Sequence, residues 1–132
     1  MAVFELLFLS LVLVSLSIKT TILTQAHCLP DQLQTLIQLK QDLNTTQLHS
    51  WNAATDCCIW DGIKCDKQIG MVTAVNLASN SISGEINLAL FNLTSLRYLD
   101  LSWNDFRGVP QAGFERLDNL THLELSYSGL VG

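Results

Sequence analysis

Three stretches of this chain superpose when it is shifted by 24 residues. Val72, Leu96 and Leu120 share one column; Val75, Leu99 and Leu123 a second; Leu77, Leu101 and Leu125 a third; Ile82, Phe106 and Leu130 a fourth. Gly84, Gly108 and Gly132 align at the same step, as do Leu93 and Leu117, and a polar column reads Asn80, Asn104, Ser128. Within a copy the apolar residues fall at Leu93, Leu96, Leu99 and Leu101. A spacing that switches from three to two fits no single helical face. One continuous strand fails too, because Leu96 and Leu99 would point to opposite sides. A short strand entered and left by tight turns aims all of these residues at one core. The columns therefore predict an α/β solenoid with strands near Ala74–Leu77, Tyr98–Leu101 and His122–Leu125.

The N-terminus reads as a targeting segment. Phe4 to Ile18 is apolar apart from Glu5 and small serines, and is shorter than the ~18–20 residues a membrane span needs. Small residues at Thr24 and Ala26 mark a cleavage site, so residues 1–26 are expected to be a secretory signal peptide removed after Ala26. Glu5 and Lys19 leave together, so the net charge of −5 is retained. An acidic chain without a Lys/Arg cluster argues against nucleic acid as a partner. No basic amphipathic stretch suits a membrane surface, and no second apolar run suits a membrane span.

Cys28, Cys57, Cys58 and Cys65 are an even set in a secreted chain, where paired cysteines are the expected state. The neighbours Cys57 and Cys58 do not pair with each other without strain. That leaves Cys28–Cys57 with Cys58–Cys65, or the crossed alternative. Zinc is disfavoured, because no C-x-x-C pair occurs and the compartment is oxidising. Pro30 and Asp31 open a helix whose apolar face is Leu33, Leu36, Ile37 and Leu43, ending at Asn44-Thr45-Thr46. Trp51 and Trp60 are expected in the core. Residues 27–70 are read as a lid over the first layer of leucines, and residues 71–132 as the repeats.

Catalysis finds no support. There is no G-x-S-x-G, H-E-x-x-H or phosphate loop, and His27, His49 and His122 lie far apart in a repeat fold. No catalytic residue, cofactor or metal is assigned. Residues between the core positions line the outward face of the strands, and Arg97, Tyr98, Asp100, Trp103, His122, Glu124 and Tyr127 form the candidate binding face. Asp100 beside Glu124 favours a basic partner; two carboxylates alone make a poor Ca²⁺ site. Asn80 and Asn104 are expected to turn inward and satisfy loop backbone groups, with Ser128 a weaker end to that ladder. Asn44, Asn92 and Asn119 open N-glycosylation sequons.

The unit L-x-x-L-x-L-x-x-N-x-L is that of a leucine-rich repeat. Together with C-L-P-D-Q at Cys28–Gln32, L-I-Q-L-K at Leu36–Lys40, L-H-S-W-N at Leu48–Asn52, D-C-C-I-W-D-G-I-K-C-D at Asp56–Asp66 and the N-x-I/F-x-G endings at Asn80–Gly84 and Asn104–Gly108, it resembles the plant leucine-rich-repeat receptor-like proteins. The run Asn119–Tyr127 is similar to the Verticillium wilt resistance type. The resemblance implies a leucine-rich-repeat solenoid with a disulfide-stapled N-terminal cap, paired Cys28–Cys57 and Cys58–Cys65. It implies a cell-surface module, anchored in its full-length form, that recognises a protein or peptide ligand and signals through a partner receptor kinase. Two other readings are a secreted inhibitor resembling polygalacturonase-inhibiting proteins, and a truncated product without independent function. With only part of a third repeat, the chain alone is expected to be poorly stable.

Overall fold

The computed structural model describes residues 25–108 and 112–130. The signal-peptide assignment, apart from Gln25 and Ala26, lies outside them, as does Gly132 of the glycine column.

Among the described residues one helix, α1 (Pro30–Asp42), and seven short strands follow in order: β1 (Leu43–Asn44), β2 (Ile63–Cys65), β3 (Val72–Asn76), β4 (Ser83–Gly84), β5 (Tyr98–Asp100), β6 (Asp105–Phe106) and β7 (His122–Glu124). 3₁₀ turns lie at Cys57–Ile59, Leu88–Asn92 and Phe114–Arg116. The main sheet has the order β2-β3-β5-β7. β3, β5 and β7 run parallel in the register Val75↔Leu99↔Leu123, which is the 24-residue offset of the sequence. β2 pairs antiparallel with β3 and closes the N-terminal edge. The strands stop at Asn76, Asp100 and Glu124, one residue short of the expected ends. The chain turns there towards left-handed residues at Ser79, Trp103 and Tyr127.

A second sheet, β1-β4-β6, forms on the far side of the coil. Here β1, just after α1, pairs antiparallel with β4 in the first repeat. Gly84 makes that approach feasible. Its φ is +108°, and a Cβ would lie 2.7 Å from the Asp42 carbonyl oxygen, closer than any side chain tolerates.

The repeat columns fill the space between the sheets. Val72, Val75, Ile82, Leu93, Leu96 and Leu99 are fully buried, and Leu77, Leu101 and Phe106 nearly so. Each such side chain contributes about 1.5–3 kcal/mol on burial. The third layer differs. Leu123 is 43% exposed, while its column mates Val75 and Leu99 are at 0%.

The cap seals the opposite end. Pro30 at the first turn and Asp31 near the positive end of the dipole start α1, and Lys40 sits in its last turn,. The helix ends earlier than the sequence pattern suggests. Leu43 has extended φ/ψ and belongs to β1, so it leaves the helical face. The buried face is Gln32, Leu36 and Leu39, with Leu33 and Ile37 only partly buried. Trp51 and Trp60 stack with centroids 5.4 Å apart. Their indole N–H groups donate to the Asp61 carbonyl and the Thr55 hydroxyl at 3.0 and 2.7 Å. Disulfides join Cys28 to Cys57 and Cys58 to Cys65, each across a Cα separation of 5.4 Å.

Two polar side chains tie these parts together. Gln32 accepts from the Val72 backbone N–H at 2.6 Å and donates to the Ser95 hydroxyl at 3.1 Å. That hydroxyl donates in turn to the Val72 carbonyl at 2.6 Å. The cap helix thereby satisfies the Val72 N–H directly, and the Val72 carbonyl through Ser95 of the next repeat. Asn104 does the same between repeats. Its amide donates to the carbonyls of Leu77, Leu101 and Ser102, and its oxygen accepts from the N–H groups of Asn80 and Ile82. Asn80 makes one amide donation, to Ala78. Ser128 is 1% exposed. Its side chain cannot repeat the Asn104 role, and backbone substitutes for it: Tyr127 and Ser128 carbonyls accept from Asn104 and Phe106 N–H groups at 3.2 and 2.9 Å.

Candidate recognition surface

The outward face of β2-β3-β5-β7 carries the side chains between the core positions of the repeats. A depression of about 410 Å³ at its cap end is lined by Gly62, Ile63, Lys64, Ala74, Asn76 and Tyr98. Next to it the columns become aromatic. Tyr98 and His122 lie ring on ring, with centroids 4.6 Å apart and planes 2° from parallel. Trp103 and Tyr127 stack at 4.4 Å and 22°. The parallel register puts residues 24 apart on adjacent strands, so a column that carries rings stacks them at about the 4.8 Å strand spacing.

Asp100 and Glu124 do more than line this face. One Asp100 oxygen accepts from both the N–H and the hydroxyl of Ser102, at 3.0 and 2.6 Å, and the other accepts from the Tyr98 hydroxyl at 3.2 Å. Glu124 accepts from the N–H of Ser126 at 2.9 Å and also from its hydroxyl. In the first repeat Asn76 holds the Ala78 N–H at 3.0 Å in the same way. These bonds lock the turns that carry Ser79, Trp103 and Tyr127. The hydroxyl and N–H of Ser126 hold the Glu124 carboxyl below the usual carboxylate range, helped by His122, and this outweighs desolvation and the repulsion of Asp100. Desolvation pushes the Tyr98 phenol up, and the charge of Asp100 and its hydrogen bond add to that.

Two placements differ from the sequence expectation. Trp103 and Tyr127 lie in turns after the strands, with φ of 55° and 52°, rather than on the strands. Not every residue between the core positions faces outward, since Ser102 is 4% exposed. Arg97 is exposed beside the N-terminal end of β5, and His122 is exposed on β7. Sequence reasoning missed the turn-locking pairs. Their signal is there: an Asn, Asp or Glu two residues before the turn in every copy.

The sequons are exposed on all three asparagines. The Asn92 amide oxygen accepts from Arg116, and the Asn119 amide nitrogen donates to the Thr94 carbonyl at 2.9 Å. In the cap, Cys28, Asp56, Cys57 and Cys58 bring ligand-type atoms within 4.8 Å of one another. The sulfurs are spent in disulfides, so this donor set does not suit a metal. Asp56 instead braces the staple, accepting from the Cys28 and Cys58 N–H groups at 2.9 and 3.0 Å and pairing with His27 at 2.8 Å. Burial works against the Asp56 charge, but these bonds prevail and lower its pKa.

A family model for the leucine-rich-repeat N-terminal domain matches residues 29–66, and one for the leucine-rich repeat matches residues 72–130. The chain belongs to the leucine-rich-repeat family. Its relatives are plant receptor-like proteins. Receptor-like protein 7 of Arabidopsis thaliana is 39% identical over 112 residues, which cover 83% of this chain and 12% of that protein. Among solved leucine-rich-repeat structures, the BIR2 ectodomain from Arabidopsis thaliana superposes with a TM-score of 0.67 at 31% identity, over 76% of this chain and 56% of that one. The Arabidopsis receptor kinase HAESA, in complex with the peptide hormone IDA and the co-receptor SERK1, matches with a TM-score of 0.67 at 32% identity, over 75% and 17% of the two chains. The likeness to the Verticillium wilt resistance type is not specifically carried by these relatives. Among the described residues no helix is long and apolar enough to cross a membrane.

Proposed function

We propose that this leucine-rich-repeat chain is a non-enzymatic, extracellular recognition module: the N-terminal part of a plant receptor-like protein, with residues 1–26 as signal peptide, 27–70 as cap and 71–132 as repeats. Its outward sheet face takes a protein or peptide ligand, and signalling runs through a partner receptor kinase; the similar receptor kinase HAESA is found in complex with a peptide hormone and the co-receptor SERK1. The observation that carries this reading is the pair of aligned aromatic stacks on that face, Tyr98–His122 and Trp103–Tyr127. Tyrosine and tryptophan are among the residue types that dominate interface energetics. Asn44, Asn92 and Asn119 are the proposed glycan sites, and the full-length form is anchored at the outer face of the plasma membrane.

The test is a binding screen of the secreted full chain against extracellular plant peptides and receptor-kinase ectodomains. A partner should be lost on Tyr98→Ala combined with His122→Ala and kept on Asn44→Gln. A tagged chain that stays in the cytosol, or partners indifferent to both ring substitutions, would overturn the proposal.

A further inference from the structure

Ser79, Trp103 and Tyr127 occupy one column, and all three have a left-handed backbone, with φ of 55°, 55° and 52°. The turn imposes this conformation, since a serine adopts it as readily as the aromatics. L-residues enter that region at a cost, and Asn or Gly would be the cheaper choice. In two repeats the position nevertheless carries a large ring, and those rings gain little from burial: Trp103 is 61% exposed and Tyr127 74%. A costly residue kept at an exposed, strained position points to use.

Trp103 spends one ring face on Tyr127 at 4.4 Å. On the side away from Tyr127 the next position of the column is Ser79, whose side chain is too short to stack on an indole. That position, in line with the two rings, is an open slot for one planar group. The surrounding charge is negative. Asp100 and Glu124, each held by the serine that precedes the aromatic, stand at the C-terminal ends of β5 and β7. Asp105 is exposed just beyond Asn104. The cations of this face lie elsewhere, Arg97 at the start of β5 and Lys64 on β2. A planar slot beside a fixed carboxylate, Asp100, fits a group that is both flat and cationic. A lysine ammonium is charged but not flat, and a sugar can hydrogen-bond a carboxylate but carries no charge to answer it.

We propose that the Trp103 slot over Ser79 takes the guanidinium of an arginine on an extended peptide or partner loop, stacked on the indole with its charge towards Asp100. This rests on the reading that the sheet face binds a protein or peptide, and names the chemistry it selects.

Trp51 and Trp60 are 1% and 2% exposed, so acrylamide quenching of the full secreted chain reports mainly on Trp103. The probes are acetyl-Gly-Arg-Gly-amide, its citrulline and lysine counterparts, and a neutral glucan trisaccharide. The arginine peptide should shield Trp103 and shift its indole N–H resonance, binding at least about fivefold more tightly than the citrulline or lysine peptides. Trp103→Ala should abolish the effect. Ser79→Trp, which fills the slot and leaves Trp103 in place, should abolish it in a chain whose disulfides and circular dichroism are unchanged. Equal binding of citrulline or lysine, preference for the trisaccharide, or no Trp103 response to arginine peptide at roughly 20 mM would each overturn the proposal. If a ligand is lost on the Tyr98 and His122 substitutions but ignores both Trp103→Ala and Ser79→Trp, the arginine slot fails while the recognition face stands.

Discussion

Asn104→Ala should be the most damaging single polar truncation in the repeats. The side chain makes five hydrogen bonds: three donations to Leu77, Leu101 and Ser102 carbonyls at 2.7, 3.2 and 3.0 Å, and two acceptances from Asn80 and Ile82 N–H groups at 3.2 and 3.0 Å. A buried polar group left without a partner costs about 1–3 kcal/mol. Not all five partners would be stranded, because the Asn104 site is only partly buried and water can reach some of them. Leaving one or two orphaned gives a loss of about 3 kcal/mol. Asn80→Ala removes one amide donation, to Ala78, and should cost about 1 kcal/mol. Asn104→Asp keeps the two acceptances but turns a carboxylate on three carbonyl oxygens, so it should be at least as destabilising as the alanine. The assay is urea unfolding of the secreted, disulfide-intact chain followed by tryptophan fluorescence, with the midpoint compared at constant slope. An Asn104→Ala chain within about 1 kcal/mol of the parent, or an aspartate variant more stable than the alanine one, would refute the ladder argument.

Gln32→Leu keeps the volume but strands the Val72 N–H, which Gln32 receives at 2.6 Å; a loss of about 1–3 kcal/mol in thermal or urea unfolding is expected. Gly62→Ala places a Cβ 2.1 Å from the Asn76 carbonyl oxygen at a φ of +82°, and its secreted yield should fall sharply against the parent. Because the Asp56 pKa is lowered below 3.8 in the folded chain, its stabilising contribution is complete above the unfolded value and disappears as pH falls through the native one. Unfolding curves between about pH 2 and 5 should therefore converge for the parent and Asp56→Asn at the acid end and separate above it. In hydrogen exchange the Leu77 and Leu101 amides, which donate to Asp100 and Glu124 carbonyls at 2.8 and 2.9 Å, should exchange much more slowly than that of Leu125; equal protection at all three would contradict the assigned register.

The repeat was legible because its physics is periodic. A column of leucines 24 apart becomes a layer whatever the loops do, so β3, β5 and β7 could be placed from spacing alone. The second sheet was not legible. β1, β4 and β6 are two residues each, and pairing β1 with β4 depends on the end of α1 meeting Gly84, a contact between distant segments that no local pattern records. Gln32 was missed for a similar reason. On a helix it reads as a polar surface residue, and only the docking of α1 onto β3 turns it inward. At the candidate face the residue types were readable, but their division of labour was not. Asp100 and Glu124 look like ligand contacts in sequence. Their bonds to Ser102 and Ser126 show that they first set the turns on which Trp103 and Tyr127 ride.

That division links the stability of the solenoid to its surface. Leu77, Ser79, Asn80 and Ile82 donate their backbone N–H groups to acceptors in the second repeat; Leu101, Trp103, Asn104 and Phe106 donate at the same four offsets to the third. The first two turns are thus each fixed by the repeat that follows, and the Trp103 ring is held by a turn so fixed. Trp103 is positioned by its own N–H bond to the Ser126 carbonyl and by the Asp100–Ser102 lock before it. Tyr127 has the Glu124–Ser126 lock, but its layer includes a Leu123 that is 43% exposed. In a fold whose stability is close to a sum of neighbour terms, covering that layer would add burial at Leu123. It would also supply acceptors for the N–H groups at the Leu125 and Tyr127 offsets, and so hold the Tyr127 ring as firmly as that of Trp103. Order along the aromatic column therefore follows order along the core, and a ligand gripping Trp103 against Tyr127 would sense both.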